Sequence, residues 1–150
     1  MAVRKLGRAL VALVLVVAGS LALAQPAQAA YRTFYVEYRH GGGTGAIAVA
    51  TRGSFYWTAR SVVIVDPELY VLNGHCGLAY YLGVHSWNVD TGYNVGPICN
   101  TTGVNQYFKI GGAVLDGSKY DYPGIWELDI KVTDHTHNAP SQWSYYYKHS

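Results

Sequence analysis

Three short stretches carry side chains with the types and spacing to do chemistry: His75-Cys76, Asp134-His135-Thr136-His137, and the pair Glu127 and Asp129. An imidazole beside a thiol could be a nucleophile with its base, or one corner of a metal site. Two histidines at i and i+2 fall on one side of an extended strand, so His135 and His137 could reach a single ion. A structural zinc site needs four ligands and a catalytic one needs three plus water. Asp134 would point the other way in an extended strand, and the sequence identifies no further partner. A solvated turn leading into Asn138-Ala139-Pro140 accounts for the same residues, so no metal and no cofactor is assigned. Glu127 and Asp129 alternate onto the wet side of a strand, where charge keeps a sheet soluble. A glycosidase would instead need two acids across a cleft, one of them in an apolar pocket.

The string GHCG at 74–77 resembles the histidine segment of secreted chymotrypsin-like serine proteases over those residues alone. Such enzymes also carry a nucleophilic serine in a GDSGG-like turn. Asp116-Gly117-Ser118 comes nearest and lacks the glycines that follow, and the chain is too short for two β-barrels. No catalytic residue is assigned, and the chain is read as a non-enzyme.

What His75 adjoins is better explained by export. Arg4, Lys5 and Arg8 precede an apolar run to about Ala24, followed by Ala27-Gln28-Ala29. That is the order of a secretory signal peptide, here in the Ala/Val-rich bacterial style. The expected organisation is a leader over 1–29 and a secreted β domain over 30–150, with no membrane anchor after cleavage. Cys76 and Cys99 are the only cysteines, and an oxidising compartment pairs them in the single available disulfide. The chain has 11 basic and 9 acidic residues, three of the basic ones in the leader, so the mature domain carries a net charge of −1. No cluster of Lys or Arg offers a phosphate-binding footprint, and nucleic acid is not an expected partner.

The elements that must position these residues are strands. All 14 Tyr, 4 Trp and 3 Phe follow the leader, a β-rich composition. Residues 124–133 alternate Trp126, Leu128, Ile130 and Val132 with Glu127, Asp129 and Lys131, the period of a half-buried strand. Further strands are expected at 31–39, 46–51, 54–59, 61–65, 69–72, 76–84, 107–110, 113–115 and 142–148, with Asp66-Pro67 ending one of them. Asn73-Gly74 predicts a tight hairpin turn, which would leave His75 at an edge or facing solvent. Residues 76–84 are apolar on both faces, as in a central strand covered on both sides. Residues 85–105 read as the longest irregular segment. The fold class is all-β, a single antiparallel β-sandwich or small β-barrel with one disulfide.

Function then falls to the aromatic side chains. Trp87 and Tyr93 stand in the irregular segment, where connecting chain runs over the surface. Trp143, Tyr145 and Tyr147 share one face of the last strand, either as its core side or as a binding surface. Exposed Trp and Tyr combine large contact area with a polar handle. The expectation is an extracellular binding or adaptor protein that contacts another protein through loops and aromatic residues. The alternatives are a glycan-binding module, or an inhibitor presenting 85–105 to a hydrolase. Were the source eukaryotic, Asn100-Thr101-Thr102 would be a glycan acceptor.

Overall fold

A computed structural model describes residues 30–41, 43–85, 89–121 and 124–148; the leader expected over 1–29 lies outside them. The described residues contain strands and no helix, and so no helix long and apolar enough to cross a membrane. In chain order the strands are β1 (Arg32–Arg39), β2 (Ile47–Trp57), β3 (Val62–Val71), β4 (Cys76–Val84), β5 (Val89–Cys99), β6 (Gln106–Lys109), β7 (Ala113–Leu115), β8 (Glu127–Asp134), β9 (Ala139–Pro140) and β10 (Ser144–Tyr147).

They form two antiparallel sheets, a β-sandwich. The first runs β1-β2-β3-β6, with β7 also on β3; the second runs β10-β8-β4-β5, with β9 also on β8. The facing sides meet in one core. Phe34, Phe55, Ile64 and Leu69 come from the first sheet and Tyr81, Leu128, Ile130 and Val132 from the second, with Leu115 and Ile125 closing one end. The Tyr81 hydroxyl lies 2.6 Å from Thr51 Oγ1. Thr51 gives its one proton to the Glu68 carbonyl at 3.0 Å, so Tyr81 is the donor and its buried hydroxyl is satisfied. Burial pushes the Tyr81 phenol up to about 12, so it remains a donor at neutral pH. The inner position Gly77 lets the sheets close here: a Cβ would meet Val49 and Val71 side-chain carbons at 2.9 Å.

The expected breaks fall differently. Residues 46–51 and 54–59 form one strand, and 61–65 and 69–72 form another. Asp66-Pro67 does not end β3. Asp66 takes φ +46° beside a register shift between Arg52 and Ser54 of β2, a bulge that absorbs the proline without ending the pairing. Asn73-Gly74 does not make a hairpin either. The turn is closed by the His75 amide donating to the Leu72 carbonyl at 3.0 Å. Gly74 has φ +83° while Asn73 has no positive φ, whereas a two-residue primed turn needs positive φ at its first central residue. The chain therefore crosses from the first sheet to the second. Most of 85–105 is strand β5, and the Cys76–Cys99 disulfide joins directly paired residues of β4 and β5. Asn100 is fully buried, its amide donating to Val71 and Val104 carbonyls, so it is not placed to accept a glycan.

Candidate functional site

The alternation of β8 sends Leu128, Ile130 and Val132 into the core and Glu127, Asp129 and Lys131 to the outer side of the second sheet. Pairing then decides their neighbours. Tyr145 of β10 lies opposite Asp129 and Tyr147 opposite Glu127; on the other side Leu82 of β4 faces Asp129 and Tyr80 faces Lys131. β4 is central, but only one of its faces is fully covered. Gly77, Ala79, Tyr81 and Gly83 are buried, while Leu78, Tyr80 and Leu82 are half-buried on the outer side. The two-sided apolar pattern thus reflects an apolar outer face, not a second buried one.

The last strand reverses the core reading of its odd positions. Tyr146 points inward and packs on Phe55 at 5.3 Å between ring centroids. Tyr145 and Tyr147 point outward, 54% and 48% exposed. Tyr147 stacks on Trp126 at 5.8 Å, so Trp126 leaves the core face that alternation assigned it and Ile125 fills that place. Lys131 sits between two rings, 5.0 Å from the Tyr80 centroid and 4.5 Å from that of Trp143, a cation–π arrangement.

Asp129 is not a solvated surface acid. Enclosed between Tyr145 and Leu82, its carboxyl is pushed up to about 7, first by desolvation and then by a hydrogen bond and repulsion from Glu127. Its Oδ1 is buried and, among the described residues, has no hydrogen-bond partner. Among the described residues neither acid has a Lys or Arg within ion-pair distance.

The outer face of the first sheet is built in the opposite way. Glu37 pairs with Arg39 and accepts from Tyr35 at 2.6 Å; Glu68 pairs with Arg52 at 2.8 Å, and Arg52 caps the Tyr107 ring at 3.8 Å. The hydrogen bond from Arg39 holds the Glu37 carboxyl below the usual range. A shallow depression of about 450 Å³ lies there, lined by Tyr35, Arg52, Asp66 and Glu68. Acids pair with arginines on one outer face, whereas among the described residues Glu127 and Asp129 on the other have no such partner.

The remaining sequence-selected residues are placed as follows. Tyr93 lies in β5, half-buried and stacked on Tyr81 at 6.0 Å, its hydroxyl donating to the Gly111 carbonyl at 3.0 Å. It closes the sandwich edge and is not in an open loop. Trp87 lies outside the described residues. His75, expected at an exposed edge, has a side chain only 14% exposed and bonded to Asp134. His135 is exposed, whereas His137 turns back onto Asp134. The strand ends at Asp134, so the i, i+2 rule does not govern the two histidines. Sequence reading gave Asp129 to the solvated side and Trp126 to the core, and it missed Tyr80, whose signal was the apolar second face of β4.

No protein-family profile, curated protein or solved structure matches the chain significantly.

Proposed function

We propose that this chain is a secreted, non-enzymatic binding protein that engages an extracellular protein through the outer face of the second sheet. One observation carries the reading. Positions that an open sheet face ordinarily gives to polar side chains hold Leu78, Tyr80, Leu82, Tyr145 and Tyr147, around a carboxyl pair that among the described residues has no Lys or Arg within ion-pair distance. Aromatic anchors framed by apolar area are the composition of interface hot spots. A partner that sets a Lys or Arg between the rings supplies the charge that Glu127 and Asp129 lack. The broad sheet face suits a protein, and the disulfide pins its edge strand.

The test compares three immobilised proteins against culture supernatant: wild type, the double variant Tyr145→Ser/Tyr147→Ser, and Tyr35→Ser on the opposite outer face. Losing two anchors at about 1–2 kcal/mol each weakens capture more than about tenfold. The expected result is one defined partner kept by wild type and Tyr35→Ser and lost by the double variant. Equal capture by all three refutes the reading. A parallel pull-down on insoluble polysaccharide, lost only in the double variant, would assign the face to glycan instead.

A further inference from the structure

At the end of the sandwich that holds the disulfide, three turns distant in sequence meet. His40 leaves β1, His75 stands in the crossing from β3 to β4, Asp134 ends β8, and His137 follows it in the turn to β9. The ring centroids of His40 and His75 are 5.1 Å apart, those of His75 and His137 are 5.1 Å, and those of His40 and His137 are 5.6 Å. Asp134 is fully buried. Its Oδ2 lies 3.0 Å from His75 Nδ1 and 2.9 Å from His137 Nδ1, and its Oδ1 accepts from the Thr136 amide at 3.1 Å.

A carboxyl at zero exposure is costly to bury unless its oxygens are well partnered. Among the described residues no Lys or Arg lies within ion-pair distance of Asp134; its partners are imidazoles, which can donate a proton from Nδ1 without carrying charge.

We propose that His40, His75 and Asp134, with His137 as a fourth group, form a binding site for a divalent transition metal of the zinc class. One donor atom from each of His40, His75 and Asp134 lies within 4.8 Å of the other two. Ligand atoms around a tetrahedral zinc sit about 3.3 Å apart, so closure of at most about 1.5 Å assembles the set. Asp134 and His75 are the enclosed pair; His40 stands on a hairpin turn, and the His137 side chain is 55% exposed. Imidazole-rich donors select zinc, copper or nickel over calcium or magnesium. Both sulfurs are committed to the disulfide and are not ligands. The frame is rigid where it matters, since Gly77 pairs with Asp134 and the His135 amide donates to the Cys76 carbonyl at 2.8 Å. This site is independent of the aromatic face.

The test uses the oxidised, chelator-stripped protein, titrated with zinc by calorimetry and with cobalt(II) by visible absorption. One equivalent of zinc should bind, raise the melting temperature and be removed by chelator, and cobalt(II) should give the intense bands of a four-coordinate site. His40→Ala and His75→Ala should each weaken zinc binding at least about tenfold, and His137→Ala by about 10- to 100-fold, with the far-ultraviolet circular dichroism of wild type. His135→Ala, one residue from the site, should bind as wild type does. Absence of stoichiometric zinc binding overturns the proposal. So does binding that survives both His40→Ala and His75→Ala, or that is lost in His135→Ala.

Discussion

Replacing Asp129 by Asn should stabilise this protein at neutral pH and flatten its stability between about pH 4 and pH 7. The carboxyl is raised from 3.8 to about 7, so the folded state holds a proton in this interval that the unfolded chain releases. For an acid shifted upward, stability is highest below the unfolded value, falls as pH climbs through the interval, and stays low above it. The full shift corresponds to about 4 kcal/mol at 1.36 kcal/mol per pH unit. Asp129 keeps partial contact with water, so about half of that, ~2 kcal/mol, is expected. Asn retains the donor to Glu127 and removes the charge. Urea unfolding followed by tryptophan fluorescence at several pH values gives both curves. The variant should equal wild type near the acidic end and exceed it by about 2 kcal/mol near pH 8. A variant no more stable than wild type at neutral pH would refute the description of Asp129 as an enclosed, desolvated acid. The comparison isolates Asp129, because carboxyls held low, such as Asp134 and Glu37, act at more acidic pH and are common to both proteins.

Three further outcomes follow from the packing. Replacing Cys76 and Cys99 by Ala opens a loop of sequence separation 23 and should cost about 3 kcal/mol in urea unfolding. Tyr81→Phe removes a hydroxyl whose only described partner is Thr51 and should cost about 1 kcal/mol by the same measurement, because Thr51 still donates to Glu68. Gly77→Ala forces a Cβ against Val49 and Val71 at 2.9 Å and should cost about 1–3 kcal/mol, read as a lowered melting temperature; an unchanged value would contradict the close approach of the sheets.

Much of this fold was legible because it rests on local alternation. The sides of β8 followed from Leu128, Ile130 and Val132 against Glu127, Asp129 and Lys131, and the disulfide followed from the cysteine count. Signals that depend on what a segment packs against were harder to read. Asp66-Pro67 and Asn73-Gly74 are turn formers whose meaning was settled by a bulge opposite β2 and by a crossing between sheets. Tyr145 and Tyr147 were placed outward by Tyr146 finding Phe55, a contact between sheets. The cluster at Asp134 was illegible for the same reason. His40, His75 and His137 are brought together only by three separate connections ending at one end of the sandwich, and the spacing of His135 and His137 carries no sign of His40 or His75.

The central claim is that the second sheet's outer face is the recognition surface, and site-specific photocrosslinking tests it most directly. A photoreactive phenylalanine placed at Tyr145, and separately at Tyr35 on the opposite face, is irradiated in culture supernatant. A discrete protein adduct from position 145 and none from position 35 is the predicted result. Adducts from position 35 alone, or equal adducts from both positions, would contradict it.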